Sequence, residues 1–318
     1  VANPIIDQAA KRVEANMKQN QKKKGLPKPR TITEVSAERI RERTQEALAP
    51  STGYPELDKI IRGFIPGHLY TLTGDTNVGK TTLACNFAVR IARQNNKVLY
   101  FALEPENTVV DYLASVKQNK RFDELTHDDI QDDSGHIFIY GKEEVKTLDD
   151  MVNIIDVSDE TYDLIIIDHV GYFLSGGKNW LQEQSNAVKK LAGLAKRKKV
   201  AIMIIAHLRK KSSSQKKDYM PTSDDIAGSG AFKQDSTEVV IVTRDLLDAE
   251  NSTMEYGSTG YINVMKTKCG PNGRVRINFQ EMKANIFSDG ELQHRMNMSG
   301  SFNRGDNEWQ DNVKDALF

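Results

Sequence analysis

An α/β fold is predicted: a central, mostly parallel sheet with helices on both faces and an antiparallel extension toward the C-terminus. Three observations predict it. Short apolar runs alternate with helical segments between residues 69 and 207, the pattern of a parallel sheet covered on both sides. The first of these runs leads into GDTNVGKTT (74–82), which fits the phosphate-loop pattern G-x-x-x-x-G-K-[ST]. From 237 to 280 the chain then reads as three strands, the last two joined by the short, turn-rich CGPNG (269–273).

Taken in order, residues 1–50 stand apart from the rest. They carry the basic cluster KKKGLPKPR (22–30), whose prolines and glycine argue against a helix there. SAERIRERTQEAL (36–48) reads as a helix with Ser36 as its N-cap. Its charged residues Glu38, Arg39, Arg41, Glu42 and Arg43 make a solvated face. The apolar side is thin, Ile40, Ala47 and Leu48, so the helix needs a surface to lie against, its own core or a neighbouring subunit. LYTLTG (69–74) is the first buried strand, followed by a helix from Lys80 to about Gln94. Further strands are KVLYFAL (97–103), HIFIY (136–140), YDLIIIDH (162–169) and KVAIMIIAH (199–207), with helices near 108–118, 147–158 and 180–198 between them. TEVVIVTRD (237–245), STGYINVMKTK (258–268) and GRVRINFQ (273–280) form the antiparallel part. The expected organisation is a basic segment and helix over 1–50, one large α/β domain over 51–289, and a polar to acidic tail over 290–318. The tail reads as flexible, the alternative being that Trp309 and Phe318 dock on a partner.

Composition narrows the class without choosing the function. The 318 residues suffice for one sizeable domain or two small ones. Forty-four basic and forty-four acidic side chains cancel, so only local patches can argue for a polyanionic partner. Two cysteines, Cys85 and Cys269, give no disulfide framework and fit a reducing compartment. The N-terminal stretch lacks the apolar core of a secretory signal, and no apolar run is long enough to cross a bilayer. A cytoplasmic location with no membrane partner is expected. Two distant cysteines and six scattered histidines form no zinc cluster.

The order strand, glycine-rich loop, helix decides what residues 74–82 can do. Backbone N–H groups of Gly74, Asp75, Thr76, Asn77, Val78, Gly79 and Thr82, together with the helix N-terminus, are placed around phosphates; Lys80 reaches the terminal phosphates and the Thr81 hydroxyl serves Mg²⁺. ATP with Mg²⁺ is therefore the expected cofactor pair, other nucleoside triphosphates staying open. Asp168 ends the apolar run YDLIIID at the sheet edge where a metal-bound nucleotide sits, although a strand-terminal Asp also caps turns. Hydrolysis needs a group to orient water. Glu104, which ends KVLYFALE before Pro105, is the first candidate, and Glu106 competes with it. His207 ends the next strand, where it either packs passively or bonds the γ-phosphate and reports its loss. After it comes HLRKKSSSQKKDYM, with Arg209, Lys210, Lys211, Lys216 and Lys217 among serines. Such a loop satisfies nucleic-acid phosphates without reading bases, although charge runs are also ordinary solvated loops.

With these residues in place the chain resembles the RecA-like motor domain of the hexameric replicative DNA helicases, the family of the bacterial replicative helicase, phage primase-helicases and mitochondrial Twinkle. The resemblance covers about residues 50–285 and rests on ordered blocks at 51–82, FALE (101–104), LIIIDH (164–169), IIAHLRK (204–210), DIAGSGAFKQDSTEVVIVTRD (225–245) and KTKCGPNGRVRINF (266–279). It implies a RecA-like P-loop NTPase that moves along single-stranded DNA as a homohexameric ring and unwinds forked duplex DNA. On that reading Glu104 activates water, Asp168 holds Mg²⁺ through water and His207 takes the polar sensor position. The loop 208–221 and the segment GSGAFKQD (228–235) face a central channel, with Gly228, Ser229 and Gly230 bringing backbone N–H groups close to DNA. Lys266 and Lys268 reach the γ-phosphate bound by the next subunit. A primase, polymerase or single-strand-binding protein is the implied partner of the N-terminal segment or acidic tail, in the cytoplasm of the cell or of a phage host.

Two departures qualify the resemblance. The family's usual trans pair is lysine followed two positions later by arginine, and here the second residue is Lys268, which brings charge without the planar fork. Bacterial members also carry arginine two residues before the SGA tripeptide, where this chain has Ala227. A recombinase-type RecA or RadA ATPase, or an ATP-dependent replication helper that does not unwind, is the alternative.

Overall fold

A P-loop strand buried on both faces needs partners on both of its edges, and in the computed structural model β1 (Leu69–Gly74) has them: β5 (Ala201–His207) on one side and β6 (Glu238–Asp248) on the other, both parallel to it. The structure describes residues 29–103, 106–131, 136–174, 179–208, 225–226, 229–248 and 254–300. Strands β2 (Val98–Ala102), β3 (Ile137–Gly141) and β4 (Leu164–Asp168) extend the parallel part. Strands β7 (Met254–Lys266), β8 (Gly273–Gln280) and β9 (Asn285–Ser288) continue it antiparallel. The order is β3-β2-β4-β5-β1-β6-β7-β8-β9, so the expected sheet with its antiparallel extension is the one observed.

Successive strand residues point to opposite faces, and both faces are filled. Tyr70, Leu72, Tyr100, Ile166 and Met203 enter one apolar cluster. Leu69, Leu99, Phe101, Ile165, Ile167 and Ile204 enter the other. Helices α2 (Pro55–Ile61), α3 (Lys80–Ala92) and α4 (Glu106–Gln118) supply the first cluster, while α6 (Leu148–Val157) and α7 (Trp180–Lys198) supply the second; the short α5 (His127–Gln131) follows α4. The short helix α8 (Ser229–Asp235) anchors in the second cluster through the fully buried Phe232. None of the described helices is long and apolar enough to cross a membrane.

Contacts divide the chain into two compact units, Val1–Gln45 and Glu46–Phe318. Helix α1 (Ile32–Glu46) starts one turn before the expected Ser36, because Thr31 and Glu34 form the capping pair. The Thr31 N–H donates to Glu34 Oε2 at 2.7 Å and the Glu34 N–H donates to Thr31 Oγ1 at 3.2 Å, satisfying two orphan donors reciprocally. Ser36 has Arg39 three residues on and no such partner. Ile32, Val35 and Ile40 are exposed on this helix.

At the other end the expected irregular tail begins as structure. Asn285–Ser288 joins the sheet as β9, and Asp289–Gly300 forms α9. Ser288 and Glu291 bond each other's backbone N–H groups, at 2.8 Å to Glu291 Oε2 and 3.3 Å to Ser288 Oγ. Glu291 also pairs at 2.6 Å with Arg90, whose guanidinium lies 4.0 Å over the Tyr54 ring. A capping box and a largely buried ion pair thus hold a segment whose composition alone looks polar. Trp309 and Phe318 lie outside the described residues.

Candidate functional site

Because β1 is buried throughout, it delivers residues 74–82 to the C-terminal edge of the parallel strands. Asn77 and Gly79 take φ of 60° and 97°, and Gly79 is the N-cap of α3. A Cβ at Gly79 would stand 2.6 Å from Phe279 Cε1, so glycine is required both by its dihedral and by its neighbour. Lys80, 7% exposed, donates from Nζ to the carbonyls of Asp75 (2.7 Å) and Gly74 (3.2 Å). The ammonium thereby lies at the same loop toward which the first N–H groups of α3 are directed.

Asp168 ends β4 in register with Ala102 of β2, and its side chain is 3% exposed. The Tyr100 hydroxyl, fully buried on β2, donates to Asp168 Oδ2 at 2.9 Å. Burial first, and the Asp168 charge second, push the Tyr100 phenol well above its ordinary value, so it remains a donor. Cys85 Sγ is 4.0 Å from the same hydroxyl; burial, then Asp168, pushes this thiol up as well. Thr81 lies one turn before Cys85 on the same face of α3. Among the described residues no three His, Cys, Asp or Glu side chains are grouped to enclose a metal. A hydroxyl and one buried carboxylate instead suit a hard cation that takes most of its ligands from phosphates and water.

His207 closes β5 in register with Gly74 and is exposed at the sheet edge, its ring 4.6 Å from that of His169. With β5 lying between β4 and β1, the imidazole stands between the Asp168 strand and the phosphate loop. Leu208 then bridges antiparallel to Ile226, which places Ile226 next to the residue that follows His207. Glu104 lies outside the described residues, as do Arg209, Lys210, Lys211, Lys216, Lys217, Ala227 and Gly228. The rival Glu106 rests its carboxylate against Gly141 at the end of β3, the edge strand beyond β2. Ser229 starts α8, and Gly230 is exposed, with no heavy atom within 4 Å of where its Cβ would be. No internal packing demands glycine at 230.

Lys266 and Lys268 are elsewhere. Lys266 pairs with Val239, and Tyr70 pairs with Glu238, so both lysines stand at the N-terminal edge of the parallel strands. From Tyr70 to Gly74 the sheet runs about 13 Å, which separates them from their own phosphate loop. Lys266 Nζ donates to the carbonyls of Lys233 and of Ser236, the latter at 2.6 Å, and so caps the C-terminal end of α8. Burial, then the charge of Lys268, holds its ammonium below the ordinary lysine range.

The residue signals do not reveal three side chains beside the loop. Arg244 of β6 lies 4.4 Å over the Phe279 ring of β8 and donates from Nε to the Gly257 carbonyl at 2.8 Å. Tyr256 bonds Asp75, and burial raises its phenol. Neither Arg244 nor Phe279 stands out in TRD or RINF, because their meeting depends on the β6–β7–β8 register.

The pattern of the DnaB-like helicase C terminal domain matches residues 50–288. The replicative DNA helicase DnaB of Geobacillus stearothermophilus is 28% identical over 261 residues, covering 76% of this chain and 57% of that protein. The DnaB of Mycoplasma genitalium is 26% identical over 263 residues, 75% and 56% respectively. The chain thus spans a little over half the length of the curated relatives it matches. Among solved structures, one of a DnaB-like replicative helicase and its interactions with primase superposes with a TM-score of 0.66 at 17% identity, over 81% of this chain and 67% of that one. A solved ATPase domain gives the same TM-score at 18% identity, over 81% and 99%. These likenesses agree with the P-loop sheet described above, and the chain belongs to the DnaB-like helicase C-terminal domain family.

Proposed function

We propose that this chain is the ATP-hydrolysing motor of a replicative DNA helicase, which moves along single-stranded DNA as a ring of six copies and unwinds the duplex ahead. The observation that carries this is the division of polar and charged groups between the two edges of one sheet. Lys80, Thr81, Asp168 and His207 belong to the phosphate-loop edge, and Lys266 and Lys268 lie about 13 Å back along the strands. Those lysines serve a triphosphate held by another copy, which makes turnover a property of the assembly. The exposed Ile32, Val35 and Ile40 of α1 fit a linker helix over 1–50 that packs on a neighbouring copy of the 51–289 motor; a ring that still forms after deletion of 1–46 would remove that part. Residues 290–318 are proposed as the tail that recruits a primase, polymerase or single-strand-binding protein in the cytoplasm; unchanged partner capture after deletion of 306–318 would exclude its acidic end.

Mg²⁺ bound by the Thr81 hydroxyl and, through water, by Asp168 would neutralise charge developing on the phosphates. Lys80 binds the terminal phosphates and α3 directs its N-terminal N–H groups at them. Tyr100 keeps Asp168 oriented. Glu104, next after β2, takes the proton of the attacking water. The space beside Arg244 receives the base, since a guanidinium plane stacks on purines and Phe279 backs it from the core. When the γ-phosphate leaves, His207 loses its partner, and Leu208 passes that change to the loop that returns at Ile226. Lys210, Lys211 and their neighbours, with the exposed Gly230 segment, hold DNA phosphates.

Unwinding of a forked DNA duplex, run beside ATP turnover with and without single-stranded DNA, tests the reading. Wild type should unwind and Glu104→Gln should not. DNA-stimulated turnover without unwinding by the wild type would favour a recombinase-like or helper ATPase.

A further inference from the structure

Glu238 opens β6, in a run that continues Val-Val-Ile-Val, and is fully buried with no place in the reaction described so far. A buried carboxylate is expensive unless polar groups converge on it. Three stand near Oε1: the Lys268 N–H donates at 3.5 Å and Cys269 Sγ at 3.8 Å, while His68 Nδ1 lies 3.5 Å away without a hydrogen bond; Oε2 has no hydrogen-bond partner among the described residues. The contacts are long, so the carboxylate acts as a charge on which dipoles converge rather than through one tight hydrogen bond. Burial, then the Glu238 charge, pushes the Cys269 thiol up, which keeps it a donor.

Two of those three groups belong to the lysine hairpin. The Cys269 N–H donates to Thr267 Oγ1 at 2.9 Å, and Asn272 Nδ2 donates to the Met265 carbonyl at 2.7 Å, so the turn is braced internally as well. Its other anchor is Lys266, fixed on the carbonyls of Lys233 and Ser236. Residues 233–238 therefore grip both ends of the Lys-Thr-Lys stretch, and the same residues join the Gly230 helix to the sheet. We propose that Glu238 is a positioning residue for Lys268, setting where that lysine meets the nucleotide of the next copy and linking its position to the DNA-facing helix α8. This rests on the reading that Lys268 acts in trans.

The test uses full-length Glu238→Gln, which keeps side-chain shape and removes the charge, beside Lys268→Ala and Lys80→Ala. E238Q should lower DNA-stimulated kcat by about ten- to a hundredfold with little change in KM for ATP, since misplacement by an ångström costs this much. Its melting temperature should hold or rise, because a buried charge is gone. Mixed with Lys80→Ala copies, which keep an intact lysine hairpin but cannot hydrolyse, E238Q should recover turnover above the average of the two separate proteins. If Lys268→Ala turns over as wild type, the trans reading fails and the proposal with it. If Lys268→Ala is slow and E238Q normal, only the proposal fails. A slow E238Q that mixing does not rescue places the defect in its own site and overturns the positioning role. Should E238Q not assemble, Cys269→Ala removes one donor without touching the charge and must show the same rescue, at a smaller loss, for the proposal to stand.

Discussion

The two edges of the sheet are built by different rules. At the phosphate-loop edge every group sits at or just beyond the end of a strand: the loop after Gly74, Asp168 ending β4, His207 ending β5. Strand ends are fixed by burial of the strands themselves, so that edge forms as soon as the parallel core does. At the opposite edge Lys266, Lys268 and Glu238 meet only because β7 returns antiparallel along β6, with register shifts between Val239 and Val240 and between Arg244 and Leu246. The lesson is that the groups proposed to bind the phosphates are local to the strand ends, whereas those proposed to serve a neighbour depend on long-range pairing. Damage to the first edge should be confined to the copy that carries it, and damage to the second should be felt next door.

The largest effect should come from Lys80→Ala. Among the described residues its ammonium is the charged group placed on the Gly74 and Asp75 carbonyls, and loss of such a group should cut ATP turnover about a thousandfold. The comparison breaks if mixed assemblies show that K80A copies also fail to stimulate their wild-type neighbours. Lys268→Arg should act in the opposite direction, raising DNA-stimulated turnover about tenfold by adding a bidentate fork. An unchanged or lower rate would mean that the hairpin is fitted to a compact ammonium.

Arg244→Ala sharpens the account of the nucleotide edge. Removing one stacking plane should raise KM for ATP about tenfold, the loss expected for one stacked base. Binding of inorganic triphosphate, which has no base, should not change. Weakened binding of both would mean that Arg244 steadies the loop through Phe279, which touches Gly79, and that the base goes elsewhere.

The parallel core was legible because period and burial speak the same language in LYTLTG, VLYFA, LIIID and AIMIIAH, each a strand within a residue or two of its expected bounds. The strand-end groups followed from it. Strand β9 and helix α9 were not legible: their stability comes from Arg90, Ser288 and Glu291, which are up to 201 residues apart in sequence, and the segment is polar by composition. Thr31 escaped for a smaller reason, since two overlapping cap candidates compete and only the glutamate at 34 decides between them. Tyr100 escaped because alternation places it in the core, and the hydroxyl at its tip becomes meaningful only once β2 and β4 are known to be neighbours.

That hydroxyl yields the smallest effect and the sharpest reading of the phosphate-loop edge. Tyr100→Phe keeps the ring in the core and removes the 2.9 Å donor to Asp168 Oδ2. On the proposed function Asp168 would act on the cation through water, so the loss should stay near the low end for an outer partner: the Mg²⁺ concentration giving half-maximal turnover should rise about three- to tenfold. Because the phenol is held well above its ordinary range, it keeps its proton as pH rises through the alkaline range, and wild-type turnover should show no alkaline fall from this residue. A drop in kcat with unchanged Mg²⁺ dependence would instead tie Tyr100 to the segment leading toward Glu104, which follows the end of β2 by two residues in sequence. The choice between these outcomes decides whether the buried hydroxyl orients the carboxylate or the backbone leading to the catalytic base.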